Sequence, residues 1–363
     1  MRGCTGEMRE RVSDRATSRE AKWLKPSRKV KGKFQNPVPT VVGTLRLIFK
    51  AMPLYIKNHE QRTPLVAPGP FKTDRALFSA APDSGLRVTW FGHSGMLVEI
   101  DGIRLLIDPV WEERASPRQW FGPRRFFPPT ISLENLPDLD VVLISHDHYD
   151  HMGETTLQRL ARLPCAARAQ WITALGVGCL LRTWGVAAER ISELDWTDSK
   201  VIVGQDGKTL QVSSVPSRHF SGRSLFRRFE TLWGAYVLKG AEHTVYFGAD
   251  TGWWEGFTEV GASFGPFDLT MLEIGAYNDL WKDIHLGPDN AVRAFQEMGG
   301  QGMLMPIHWG LFDLALHGWR QPIERLLELA GALSVQVWSP EPGRPTEVVR
   351  GRALVDRWWQ KDS

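Results

Sequence analysis

Three histidines and two aspartates fall between His146 and His151, in the string Ser145-His146-Asp147-His148-Tyr149-Asp150-His151. Imidazole and carboxylate are donors that zinc and related divalent cations take at neutral pH. The string follows the apolar run Val141-Val142-Leu143-Ile144. Such a run, cut off by a polar switch, reads as a buried strand ending in a loop. Side chains alternate along an extended chain, so His146 and His148 point the same way and can grip one ion. Asp150 and His151 fall on a different side and can grip a second. The bland alternative is a polar surface loop, but packing alone seldom gathers imidazoles and carboxylates, because each needs a partner when buried.

One cluster cannot fill two coordination spheres, so further ligands are expected downstream at strand ends. Three candidates occur in order: His219 after Val215-Pro216-Ser217-Arg218, Asp250 after Phe247-Gly248-Ala249, and His308 after Met305-Pro306-Ile307. Each alone reads as an ordinary capped loop residue. Together, behind the His-rich loop, they point to ligation.

The elements that must hold these groups are legible from residue 86 onward. Strands are expected at 86–91, 96–100, 103–107, 141–144, 170–173, 209–215, 234–238, 244–247, 268–272, 303–306 and 335–338, with Asp101-Gly102 as a hairpin turn. Helices are expected at 154–163, 176–184, 288–298 and 321–330. Hairpins mix with strand–helix units, which favours an α/β fold of two mixed sheets flanked by helices over a purely parallel sheet. Upstream, residues 1–33 read as a basic flexible tail. Residues 34–85 read as an N-terminal extension with one amphipathic helix at 44–56, the main domain that carries the candidate ligands occupies 86–345, and 346–363 is a C-terminal segment.

Composition narrows the remaining options. The 363 residues are 42% hydrophobic and 23% charged, which suits a globular chain with a sizeable core. No apolar run is long enough to predict a transmembrane helix, and the charged N-terminus does not read as a secretory signal. Cys4, Cys165 and Cys179 have no metal spacing, and their odd number argues for a reducing, cytoplasmic compartment. The net charge of +3 is uneven, because eleven Lys/Arg and four Asp/Glu lie in 1–33. The rest is slightly acidic, so tracking along a nucleic acid is not expected.

The H-x-H-x-D-H loop followed by His219, Asp250 and His308 resembles the metallo-β-lactamase fold, an αββα sandwich. Further strings are similar to the N-acylphosphatidylethanolamine-hydrolysing phospholipase D family. They include Trp90-Phe91-Gly92-His93, Asp108-Pro109, Arg114-Ala115-Ser116-Pro117, Phe121-Gly122-Pro123-Arg124-Arg125-Phe126, Gly248-Ala249-Asp250-Thr251-Gly252, Ile274-Gly275-Ala276-Tyr277 and Ile307-His308-Trp309-Gly310. The resemblance implies that His146, His148 and His219 hold a first zinc, and that Asp150, His151 and His308 hold a second. Asp250 would bridge them; iron or manganese is chemically admissible in place of zinc. His285 would sit near the substrate phosphate, which makes it and Asp150 the expected catalytic residues. His93 would support the site, and Asp108 and Asp147 would fix ligand tautomers. Arg218, Phe220 and residues 278–282 depart from the animal pattern beside the expected substrate entrance.

The expected activity is therefore a dinuclear zinc phosphodiesterase of the phospholipase D type. A hydroxide shared by the two ions would attack a phospholipid of the N-acylphosphatidylethanolamine type. Two alternatives stay open: a metal-dependent hydrolase of a soluble ester, lactone or phosphodiester, and a non-catalytic metal-binding protein at a membrane. The expected partners are the phospholipid and a peripheral membrane contact, without nucleic acid; a homodimer is compatible with the same reading.

Overall fold

The computed structural model describes residues 21–43, 60–204, 206–224 and 226–361. A short hairpin, β1 (Lys29–Val30) and β2 (Lys33–Phe34), precedes the body. The first sheet contains β3 (Leu86–Trp90), β4 (Met96–Ile100), β5 (Ile103–Ile107), β6 (Val141–Ile144), β7 (Gln170–Ala174) and β8 (Ile191–Leu194). Strands β3 to β5 form an antiparallel meander, and β5 to β8 run parallel. The second sheet contains β9 (Ser199–Val203), β10 (Thr209–Val215), β11 (Ala235–Lys239), β12 (Thr244–Phe247), β13 (Leu269–Glu273) and β14 (Met303–Ile307). Strands β9 to β12 are antiparallel, and β12 to β14 are parallel. Helices α1 (Glu154–Leu160), α2 (Gly178–Thr183), α3 (Phe257–Phe264), α4 (Gly287–Glu297) and α5 (Gln321–Ala332) connect and cover the sheets.

The sequence dictates this layering through strands that are apolar on both faces. Met96, Val98, Ile100, Leu105, Ile107, Val141 and Leu143 point into the core between the sheets. Their alternating neighbours Leu97, Leu106, Val142 and Ile144 point outward, where Leu157 and Leu160 of α1 and Leu181 of α2 cover them. On the second sheet, Ala291, Val292 and Phe295 of α4 and Ile323 and Leu326 of α5 join the central core. The Asp101-Gly102 turn has φ values of 48° and 88°, as a tight two-residue hairpin requires. The observed layers are the αββα sandwich expected from sequence.

Topology also fixes where chemistry can occur. Strands β3, β5 and β6 share one direction, and β10, β12, β13 and β14 share another. Their carboxyl ends meet at one edge of the sandwich. There the two sheets are joined through main chain: His93 N–H donates to Trp309 O at 3.3 Å, and His308 N–H donates to His93 O at 2.9 Å.

Three expectations need correction, and one falls elsewhere. Residues 21–33 are not a free tail. Trp23 and Leu24 amides donate to the Glu259 carboxylate at 2.9 and 3.0 Å, and Ser27 N–H donates to Asp195 at 3.0 Å. Trp23 meets Trp254 edge-on, and Phe34 is buried; these few apolar anchors outweigh the charge count that suggested solvation. Nor is 346–363 a separate segment: β15 (Trp338–Ser339) pairs with β17 (Leu354–Val355), β16 (Thr346–Glu347) pairs with β3, and Trp358 and Trp359 are buried. The expected strand at 335–338 forms only at Trp338, because Leu304 meets Val337 through an isolated bridge. The amphipathic segment 44–56 lies outside the described residues.

Trp358 packs against Phe71, Trp90 and Trp309 at centroid distances of 5.5, 6.0 and 5.3 Å, just behind His308. Trp358→Ala is expected to lower unfolding free energy by about 3–5 kcal/mol in urea titrations. A loss under ~1 kcal/mol, the scale of an ordinary surface change, would show this segment to be peripheral.

Candidate metal centre

Each group at the shared edge sits just after a strand that the hydrophobic core holds rigid. His93 follows β3, Asp108 follows β5, and the loop 145–151 follows β6. His219 follows β10, Asp250 follows β12, Glu273 ends β13, and His308 follows β14. Asp108, Ala249, Ala276, His93 and His308 all have positive φ, between 42° and 60°. Non-glycine residues adopt this region at a cost that the surrounding packing must hold. Gly275 is required for close approach, since a Cβ there would lie 2.1 Å from His308 O.

The seven expected ligands converge. His148 Nδ1 lies 2.9 Å from His146 Nε2 and 3.3 Å from His219 Nε2. Asp250 Oδ2 lies 3.9 Å from His146 Nε2 and 3.5 Å from His219 Nε2. Its other oxygen, Oδ1, lies 3.1 Å from both His151 Nε2 and His308 Nε2. Asp150 Oδ2 completes the second group, 3.6 Å from His151 Nε2 and 3.3 Å from His308 Nε2. One carboxylate therefore serves two clusters, with one oxygen facing each.

Hydrogen bonds behind the ligands decide which nitrogen is bare. His219 Nδ1 donates to Ile284 O at 2.9 Å, and His151 Nδ1 donates to Asp108 Oδ2 at 2.8 Å. Both leave Nε2 as a lone pair aimed inward. Asp108 is itself held by Ser145, whose N–H donates at 2.7 Å and whose hydroxyl donates at 2.6 Å. The same hydroxyl accepts from His146 Nδ1 at 2.9 Å, leaving His146 Nε2 as an acceptor that faces His148 Nδ1 at 2.9 Å. His151 Nε2, His308 Nε2 and Asp250 Oδ1 are buried without a hydrogen-bond partner. Lone pairs that face each other at 3.1 Å repel unless a cation lies between them. That donor set fits two zinc-like ions, one held by His146, His148 and His219 and one by Asp150, His151 and His308, with Asp250 shared.

Charge displacements follow the same geometry. Burial lowers the His308 imidazole, but the Asp250 carboxylate and its neighbours outweigh this and carry it up to about 10. His151 is likewise raised well above the ordinary histidine range, burial being overcome by Asp250 and Asp150. Burial and the neighbouring His308 hold His93 down at about 3. In a metal-free site, protons on His151 and His308 compete with cations for the same nitrogens.

The supporting residues divide differently from expectation. Asp108 does fix a histidine tautomer. His93 bonds Asp150 Oδ2 at 2.9 Å and so orients that carboxylate. The Asp147 carboxylate instead accepts from Gly222 N–H at 2.6 Å and Thr231 Oγ1 at 2.9 Å, clamping the loop that carries His219. His285 lies with the cluster, its ring centroid 5.3 Å from those of His219 and His308. Its Nδ1 donates to Glu273 at 2.6 Å. Glu273 was not singled out from sequence; the signal was a carboxylate closing the apolar run Leu269-Thr270-Met271-Leu272. Arg218 binds Pro39 O, Thr40 and Asp283, and Asn36 exchanges bonds with the His219 main chain, so residues 36–40 brace the site.

A sequence model of the β-lactamase superfamily domain matches residues 103–309, more than half the chain. The chain belongs to the metallo-β-lactamase superfamily. It is a metal-dependent hydrolase of that superfamily, and its likeness to the N-acylphosphatidylethanolamine-hydrolysing branch also holds. It is 35% identical over 257 residues to N-acyl-phosphatidylethanolamine-hydrolyzing phospholipase D 1 of Caenorhabditis elegans, covering 69% of this chain and 71% of the relative. It is 46% identical over 299 residues to an uncharacterised protein of Mycobacterium tuberculosis, covering 82% of this chain and 76% of that one. Among solved structures, an isothiocyanate hydrolase from Delia radicum gut bacteria aligns with a TM-score of 0.55 at 20% identity, over 72% of this chain and 99% of that one. The metallo hydrolase Igni18 of Ignicoccus hospitalis aligns with a TM-score of 0.54 at 21% identity, over 72% and 97% of the two chains. These two likenesses concern the metallo-β-lactamase fold.

Two outcomes are expected from this geometry. Asp108→Ala should weaken metal affinity about 10–100-fold in competition with a chelating dye while the protein stays folded; unchanged affinity would remove Asp108 from the support of His151. Loading metal into the stripped protein should release protons, and affinity should rise with pH toward about 10 as His308 loses its proton. Affinity that fell with rising pH over this range would contradict it.

Proposed function

We propose that the chain is a dinuclear zinc phosphodiesterase that hydrolyses a phospholipid of the N-acylphosphatidylethanolamine type, releasing phosphatidate and an N-acyl amino alcohol. The observation that carries this reading is Asp250, whose two oxygens each face a separate cluster of inward-pointing imidazoles. The 35% identity to the nematode phospholipase D supports the substrate class.

His146, His148 and His219 would hold one ion, Asp150, His151 and His308 the other, with Asp250 between them. Bound metal would supply a water activated near neutral pH and would neutralise charge developing on phosphoryl oxygens. The protein's own contribution is largely positional. Asp108, Ile284 O and Ser145 hold the imidazoles of His151, His219 and His146 in one tautomer, so these donors need little reorganisation during reaction. His93 holds Asp150 by a bond at 2.9 Å. With Nδ1 committed to Glu273, Nε2 is the nitrogen that His285 can offer to a substrate beside the cluster. It can therefore orient a phosphate oxygen or deliver a proton to the departing alcohol oxygen. Burial pushes the Glu273 carboxyl up, and His285 opposes that shift.

The test is metal-reconstituted protein assayed on an N-acylphosphatidylethanolamine in detergent micelles, beside bis-nitrophenyl phosphate and a lactone. Phosphatidate release should dominate. His148→Ala and Asp250→Ala should reduce turnover by at least about 10³-fold and lower bound zinc from two per chain, with the circular dichroism spectrum retained. Substantial turnover by metal-stripped protein, or hydrolysis of the lactone alone, would sink the reading.

A further inference from the structure

Two loops carry aromatic side chains into solvent. The hairpin 112–126 closes through an antiparallel bridge between Arg114 and Arg124, and its tip exposes Trp120 by 80% and Phe121 by 68%. The loop 222–230 exposes Phe226 by 90%. Large apolar side chains at such exposure have no role in this chain's own core, and their coincidence on two loops needs a partner.

Both loops rise from the same place. At the base of the hairpin, the Glu112 carboxylate accepts from Thr156 N–H at 2.9 Å and Thr156 Oγ1 at 2.6 Å. Gly222 N–H donates to Asp147 at 2.6 Å, and Arg223 donates to Met152 O at 2.9 Å. The segment 147–156 that roots them is the His-rich loop and its continuation into α1. A partner gripping both tips therefore lies over the edge that holds the metal cluster.

The charge of these loops indicates which partner. Together, 112–126 and 222–230 hold seven arginines and three glutamates, although the body beyond residue 33 is acidic overall. Arg118 beside Trp120 and Arg227 beside Phe226 are exposed. Aromatic rings flanked by arginine suit the boundary between lipid headgroups and acyl chains, where the rings enter and the guanidinium groups meet phosphates. A protein partner would demand a continuous complementary face, whereas a lipid surface accepts two separate tips.

We infer that Trp120, Phe121 and Phe226, with their flanking arginines, seat the catalytic edge on an anionic lipid surface. The inference rests on the proposed phospholipid hydrolysis for its purpose but not for its measurement, because partition onto vesicles is read without any turnover.

The experiment uses full-length, zinc-loaded protein floated with phosphatidylcholine vesicles containing about 30% phosphatidylglycerol, beside pure phosphatidylcholine vesicles. Wild-type protein should partition onto the anionic vesicles, more weakly onto the neutral ones, and less as salt rises. The combined Trp120→Ala, Phe121→Ala and Phe226→Ala variant should lose at least about tenfold in partition, and Arg118→Glu with Arg227→Glu should erase the preference for anionic lipid. Activity of these variants on soluble bis-nitrophenyl phosphate should match wild type. As a control, Val201→Ser with Val203→Ser changes two exposed valines on β9 and should leave partition unchanged. Wild-type protein that stays off the vesicles would overturn the inference. So would an aromatic variant that partitions normally, or one that alters only the oligomeric state seen by light scattering. If partition is as expected but the phospholipid is not cleaved, the proposed function fails and this surface stands.

Discussion

Three imidazoles whose outer nitrogen is already committed, those of His146, His151 and His219, organise this edge of the sandwich. Ile284 O takes the outer proton of His219, and Asp108 takes that of His151. What remains on the inner side is a lone pair aimed at a carboxylate, an arrangement that burial makes costly. The backbone that enforces it is itself strained, with five left-handed non-glycine residues among the supporting loops. Strain of this kind persists only where the surroundings over-determine it. Here the surroundings are two sheets whose central strands are buried on both faces.

Much of this was legible in the residues, for physical reasons that differ by region. The central strands stood out because two-sided burial makes them uninterrupted apolar runs, as in Val141-Val142-Leu143-Ile144. The candidate ligands stood out because each lies in the loop that follows a strand-like run. Glu273 was hidden by the same rule: it belongs to β13 itself, one residue beyond the expected end, so it read as the start of a loop. The Ile284 carbonyl could not be read at all, since any residue supplies one. Short pairings such as β16 on β3 escaped because two residues carry no period. Strands β8 and β9 were missed because Glu193 and Lys200 interrupt their apolar pattern.

Charge counting misled at the N-terminus for a related reason. Net charge over thirty-odd residues averages away Trp23, Leu24 and Phe34, the anchors that dock the strip against Glu259 and the core. From there the chain continues past Asn36, which bonds the main chain of His219, and past Thr40, which bonds Arg218. Arg218, a departure from the animal pattern, thus fastens this strip beside Asp283 and the His285 loop. A residue that looked like a change in substrate contact is, in its bonds, a brace.

The division of ligands between the sheets has a mechanical consequence. His146 and His148 come from the first sheet, and their companion His219 from the second; Asp150 and His151 come from the first, and their companion His308 from the second. Each ion would therefore act as a rivet through both layers. Sliding of one sheet across the other is a natural soft motion of a two-layer body. Two rivets set apart from each other, rather than one, would also stop the layers from pivoting.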